Sequence, residues 1–281
     1  MTDGFVEYTT WSMIFLSRPS GHTIPSRSAF YIFGEATSLI TGRVHSLESM
    51  GLVDGPGIRT VVFLQGCRLR CSFCHNPDTW QLSGGEVFSA EQLMAKIRRF
   101  KPYFLRSGGG VTFSGGEPLL QPAFLLEMLK LLKREGIHTC LDTAGVGEGD
   151  YTEILRHTDL ILYDIKHIDP ALYQSMTGQP ICHTQSFLQQ AQRLGVPLWI
   201  RHVLVPGQTD SPAHLKKLQA FVSTLSHVEK VELLPYHLLG VHKYEAMGLS
   251  YPLCGVPAMD QDKAAALQTE FFPTTASHNI F

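Results

Sequence analysis

Long apolar runs are missing from this 281-residue chain. No stretch approaches the roughly 18 residues that a bilayer-spanning helix needs, so a helical membrane protein is not expected. A basic segment followed by an apolar stretch and a small-residue cleavage site is also missing, and the chain is read as cytoplasmic. Excess charge of one sign is absent as well: 23 Lys and Arg stand against 25 Asp and Glu, a net charge of −2. That balance gives no electrostatic footprint for nucleic acid or an anionic membrane. Cysteine is scarce, at six residues, which does not suit a small disulfide scaffold.

What cysteine there is, however, is crowded. Three of the six lie in Gly66-Cys67-Arg68-Leu69-Arg70-Cys71-Ser72-Phe73-Cys74-His75-Asn76. Thiolates this close cannot all point into a core, so the loop must wrap something. Three ligands suit a four-iron, four-sulfur (4Fe-4S) cluster with one iron left open to chelate a small molecule. Other readings stand beside it: a Cys3His zinc site completed by His75, a c-type haem attachment at Cys71 to His75, or a disulfide-bonded loop. Zinc clips usually come in pairs, and no second clip follows. Haem attachment requires export, and a disulfide would leave one cysteine over. Cys182 and Cys254 stand alone and read as small buried apolar residues.

Strand and helix patterns alternate from Gly42 onward. Apolar, β-branched strands are expected at 60–65, 111–113, 137–142, 159–164, 198–205 and 230–234. Helices are expected from Ser89 (carrying Leu93, Ile97 and Phe100 on one face), at 122–135, 150–157, 170–176, 184–194, 211–225 and 260–271. Such alternation implies parallel β/α units, closing into a barrel or laid out as an open sheet. Residues 1–41 show poor periodicity and read as a loosely ordered extension or an added docking segment. Residues 42–281 read as the catalytic domain.

The spacing C-x-x-x-C-x-x-C, with an aromatic before the last cysteine, resembles the signature of radical S-adenosylmethionine (radical SAM) enzymes. Val53-Asp54-Gly55-Pro56-Gly57-Ile58-Arg59 is similar to the glycyl-radical-enzyme activases among them. The likeness extends over about residues 42–272 through Cys74-His75-Asn76-Pro77-Asp78-Thr79-Trp80, Ser114-Gly115-Gly116-Glu117, Cys140-Leu141-Asp142-Thr143, Asp164-Ile165-Lys166 and Leu233-Leu234-Pro235-Tyr236-His237. It implies an α/β fold built as a partial, six-stranded parallel β/α barrel with its chemistry at the strands' carboxyl ends. It also implies a 4Fe-4S cluster on Cys67, Cys71 and Cys74, S-adenosylmethionine as cofactor, and hydrogen abstraction from a glycine by the 5′-deoxyadenosyl radical. Pyruvate formate-lyase is the expected partner, presenting its glycyl-radical loop. A low-potential donor such as flavodoxin or ferredoxin and a monomeric state are expected too. No cysteine falls between His75 and Ser89, which suits a single-cluster activase. Rival functions are a radical SAM enzyme acting on a small molecule or another glycyl radical enzyme, and a non-enzymatic iron-sulfur or zinc module.

Residue by residue, the resemblance implies that Phe73, His75 and His237 border the adenine. Gly115 and Gly116 open their backbone to the methionine moiety, followed by Glu117. Asp142 and Asp164, each on the inward face of its strand, meet the cofactor carboxylate, with Ile165 and Lys166 beside them. Arg201 contacts the ribose or the aspartates, and Val203 the adenine. Two aspartates about 4 Å apart repel by roughly 4 kcal/mol at an effective dielectric of 20, so Lys166, the sulfonium and a sodium or potassium ion held by Asp142, Thr143 and Asp164 are expected to answer them. Asp54 is expected to grip N–H groups of the substrate peptide. Cys140 shares the inward face with Asp142 and is read as bordering the radical's path.

Overall fold

A computed structural model describes residues 40–273. The expected extension therefore lies, apart from its last two residues, outside the described residues. Among the described residues a single eight-stranded sheet runs in the order β3-β1-β2-β4-β5-β6-β7-β8. Its strands are β1 (Thr41–Gly51), β2 (Arg59–Leu64), β3 (Glu86–Ser89), β4 (Gly110–Gly115), β5 (His138–Thr143), β6 (Leu160–Asp164), β7 (Leu198–Leu204) and β8 (Val228–Pro235). β2 and β4 to β8 are parallel. These are the six expected strands, shifted at their ends by a residue or two. β1 and β3 were not expected; they add an antiparallel edge beside β2.

Helices α1 (Ala90–Ile97), α2 (Lys101–Ser107), α3 (Pro122–Arg134), α4 (Thr152–Arg156), α5 (Pro170–Thr177), α6 (Cys182–Leu194), α7 (Pro212–Val222), α8 (Val241–Ala246) and α9 (Gln261–Phe271) fill the connections. Local chemistry starts and stops them. Ser89 and Gln92 form a reciprocal capping box at α1, the Asp169 carboxylate caps α5 by accepting from the N–H groups of Ala171 and Leu172, and Gly178 ends it in the left-handed region.

Strand parity divides the sheet into two faces. Val111, Phe113, Leu141, Ile161, Tyr163, Leu198 and Ile200 point to the helices and build the large core. The alternate residues point inward, where Cys140, Leu160 and Leu162 form a second, small apolar cluster with Trp199. Cys140 is thus packed low on the inner face, its thiol pushed up to about 12 by burial. Above this layer come Ser114, Asp142, Asp164 and Arg201. Flat, the sheet would hold β4 and β7 three spacings of about 4.8 Å apart. Arg201 on β7 nevertheless comes within 3.9 Å of Asp54, whose carbonyl accepts from Thr112 on β4, so the sheet is curled around its inner face.

Candidate active site

The cysteine loop follows directly from β2 and is closed on itself. Gly66 N–H donates to Thr79 O (2.8 Å), and the Gln65 amide donates to Asp78 O (3.1 Å) and Gln81 O (2.8 Å). Arg70 N–H donates to Thr177 O (2.7 Å) and Ser72 N–H to Met176 O (2.9 Å), which sews the loop to the end of α5. The Arg70 guanidinium donates to Cys67 O and Leu69 O (both 2.8 Å) and lies over the Trp80 ring. All three loop cysteines are free thiols, Cys71 buried and Cys67 and Cys74 half-buried. Burial raises each above its ordinary value, Cys71 to about 12. Three thiols gathered on one short loop are a donor set that suits a soft metal centre once deprotonated. Among the described residues no three His, Cys, Asp or Glu side chains converge as a single metal ion would require. His75 does not complete a zinc set: its ring stacks on His237 at 3.8 Å, its Nε2 lies 3.3 Å from His237 O, and burial lowers it to about 4.

Lys166 joins this loop to the inner face. Its Nζ donates to Asp164 Oδ2 (2.8 Å) and lies 5.6 Å from the centre of the Phe73 ring. Burial works against its charge, but Asp164 outweighs it and keeps the ammonium protonated. Arg201 stands between the two aspartates, paired with Asp142 and donating to Asp164 Oδ1 at 3.3 Å. Ser114 Oγ donates to Asp142 Oδ2 (2.6 Å). Burial would raise Asp164, yet Lys166 and Arg201 hold it below the usual carboxylate range. Asp54, with no hydrogen-bonded cation, is pushed up to about 6 by burial and then by Asp142. Ile165 is buried in the large core, and Val203 is half-buried against it.

Thr143 and Glu117 are placed differently from expectation. Thr143 does not join Asp142 and Asp164, because the next residue on a strand faces the other way. Its Oγ1 donates instead to Glu117 Oε1 at 2.5 Å. Glu117, expected beside the cofactor, is 1% exposed. Its carboxylate accepts from Thr143 and from the N–H groups of Leu119, Ala144 and Val146. Those four donors occupy the roughly four acceptor positions of a carboxylate, so Glu117 braces the turns after β4 and β5. Gly115 and Gly116 owe their missing side chains to backbone crowding: added Cβ atoms would lie 2.3 Å from Leu64 N and 2.1 Å from Gly66 O. The β4 turn is thereby pressed against the cysteine loop. Cys182 and Cys254, expected buried, are exposed.

Sequence reasoning missed Arg59, which is fully buried without a carboxylate partner. Its guanidinium donates to Pro56 O (3.0 Å), Val111 O (2.9 Å), Thr112 Oγ1 (2.7 Å) and His138 Nδ1 (3.2 Å), and Thr112 Oγ1 donates to Asp54 O (2.7 Å). Arg59 and Thr112 thus anchor the Asp54 to Gly57 strip. A charged residue opening an apolar strand was the available signal. Gly240 was missed too; a Cβ there would lie 2.7 Å from His75 Cα.

The family model for the Radical SAM superfamily matches residues 61–218. A Clostridium pasteurianum protein named pyruvate formate-lyase-activating enzyme is 58% identical over 230 residues, 82% of this chain and 97% of its own. A Staphylococcus aureus protein of the same name is 48% identical over 236 residues, 81% of this chain and 94% of its own. In fold, the chain is similar to a radical SAM methyltransferase from Sphaerobacter thermophilus, at a TM-score of 0.51 and 16% identity over 77% of this chain and 64% of the other.

Proposed function

We propose that this chain, which belongs to the radical SAM superfamily and within it to the pyruvate formate-lyase-activating enzymes, generates a glycyl radical on pyruvate formate-lyase under anaerobic conditions. The observation that carries the reading is one continuous site. Three free thiols on a sewn loop open onto an inner face that ends in Asp142, Asp164, Lys166 and Arg201. Once bound, a 4Fe-4S cluster supplies the electron that cleaves S-adenosylmethionine to methionine and a 5′-deoxyadenosyl radical, which takes a hydrogen atom from a glycine of the partner.

The residues divide the remaining work. Cys67, Cys71 and Cys74 hold the cluster. The stacked His75 and His237, with Phe73, form the wall against which the adenine rests, and Ile165 and Val203 add apolar surface. Lys166 and Arg201 receive the cofactor carboxylate, while Glu117 acts from beneath by fixing the turns. Asp54 accepts N–H groups of the glycyl-radical loop when ionised. With Asp54 charged, the site holds Asp54, Asp142, Asp164 and the cofactor carboxylate against Arg201, Lys166 and the sulfonium. A sodium or potassium ion on Asp142 and Asp164 makes up the difference, without a side-chain ligand from Thr143. A flavodoxin or ferredoxin serves as electron donor to a monomer in the reducing cytoplasm. Among the described residues no helix is long and apolar enough to cross a membrane.

Anaerobically purified protein tests the reading. It should carry iron and sulfide in equal amounts and release 5′-deoxyadenosine from S-adenosylmethionine and reductant; Cys67→Ala, Cys71→Ala and Cys74→Ala should each lose both properties. Zinc without sulfide would contradict it.

A further inference from the structure

Among the described residues, four buried side-chain hydroxyls have no hydrogen-bond partner: Thr60, Ser72, Tyr173 and Tyr244. Three of them lie in the cysteine loop or on helices bonded to its segment. An unpaired buried hydroxyl is destabilising, and such groups in native proteins are normally answered by water, an ion or a bound group. Ser72 lies within the loop itself. The two tyrosines come from helices fastened to it.

Tyr173 belongs to α5, whose last turn takes the backbone N–H groups of Arg70 and Ser72 on the carbonyls of Thr177 and Met176. Tyr244 belongs to α8, where the neighbouring Lys243 donates to Asn76 Oδ1 at 2.9 Å and to Asp78 Oδ1 at 3.1 Å. The Tyr244 ring meets Trp80 edge-on at 5.8 Å and Tyr251 at 4.9 Å. Tyr173 is 2% exposed and Tyr244 1%. Burial, and after it the charge of the Cys71 thiolate, raises Tyr173 above the ordinary phenol value. Burial, then Cys74 and Cys71, does the same to Tyr244. Both phenols therefore keep their proton.

We propose that Tyr173 and Tyr244 donate O–H hydrogen bonds to the sulfurs of the cluster held by Cys67, Cys71 and Cys74, and so set its reduction potential. The proposal rests on the reading of those cysteines as cluster ligands. A hydrogen bond to a cluster sulfur stabilises the reduced, more negative state over the oxidised one and moves the potential upward. The phenols suit this role because they are neutral, held by packing, and unable to compete as ligands while protonated. Their effect is to ease reduction by a protein donor at some cost in reducing power.

The test uses full-length Tyr173→Phe, Tyr244→Phe and the double variant, with cluster assembled anaerobically. Iron and sulfide are measured on each sample, and the midpoint is read by redox titration of the reduced-cluster electron paramagnetic resonance (EPR) signal. The expected result is full cluster content with a more negative midpoint in each single variant and a larger shift in the double. Pulsed EPR in deuterated buffer should find exchangeable protons coupled to the reduced wild-type cluster, with one coupling lost per variant. A loaded double variant with the wild-type midpoint would overturn the proposal alone, since the hydroxyls then face water. Where the double variant assembles no cluster, the single variants and the wild-type couplings decide, and absence of couplings that vanish with either tyrosine overturns it. Wild-type protein lacking sulfide would instead remove the cluster reading itself.

Discussion

The Arg201 guanidinium donates to Asp164 Oδ1 at 3.3 Å while pairing with Asp142, so one cation on β7 ties together the acidic ends of β5 and β6. Charge, rather than apolar packing, organises the top of the inner face.

Arg201→Met should therefore be costly. Removing one partner of a buried ion pair leaves uncompensated charge and typically costs about 3–5 kcal/mol. Thermal or denaturant unfolding of the anaerobic protein should show a loss of that order, and Asp142→Asn added to Arg201→Met should recover part of it. Cofactor affinity in the Arg201→Met variant should also fall and depend more steeply on potassium than in the wild type. Unchanged stability would mean that Asp142 and Asp164 are neutralised by something else.

Asp54 sets an acid limit on activity. Its carboxyl is raised to about 6, so it is protonated below that pH and can no longer accept N–H groups with a full negative charge. The kcat/KM for the protein substrate should rise with pH through about 6 with a slope of one. Asp54→Asn should flatten that limb while cofactor cleavage without the partner stays near the wild-type rate. An unchanged acid limb in Asp54→Asn would assign the titration to another group.

Thr112 offers a gentler handle on the same strip. Thr112→Val removes the hydrogen bond to Asp54 O and leaves one Arg59 donor without its acceptor, a loss of about 1–3 kcal/mol. We expect a higher KM for the protein substrate, measured by steady-state activation, with cluster content and cofactor affinity preserved. An altered cofactor affinity with an unaltered KM would contradict the anchoring role.

Much of this architecture was legible in the chain because burial on both faces of a parallel sheet leaves continuous apolar runs such as Thr60 to Leu64 and Leu160 to Tyr163. β1 was not legible. Within Thr41–Gly51 only Gly42, Val44 and Gly51 are buried, and Leu47 and Met50 are exposed, so the strand shows no alternating apolar face. α8, at six residues, offers too little periodicity to be read. Strand parity placed Asp142 and Asp164 each on one face of its strand and the resemblance turned those faces inward, whereas the bridging of both by Arg201 is a three-dimensional result. Three of the four donors to Glu117 could not be read, since Thr143, Ala144 and Val146 lie 26 to 29 residues further on. Tyr173 and Tyr244 are likewise brought to the cysteine loop only by how α5 and α8 pack.

This site is proposed to place a radical on a protein partner. The most direct test is anaerobic incubation of the loaded enzyme with S-adenosylmethionine, reductant and pyruvate formate-lyase, watched by EPR. The account predicts a glycyl radical signal on pyruvate formate-lyase that grows with 5′-deoxyadenosine and is absent with Cys71→Ala. Release of 5′-deoxyadenosine with no radical on pyruvate formate-lyase would contradict it.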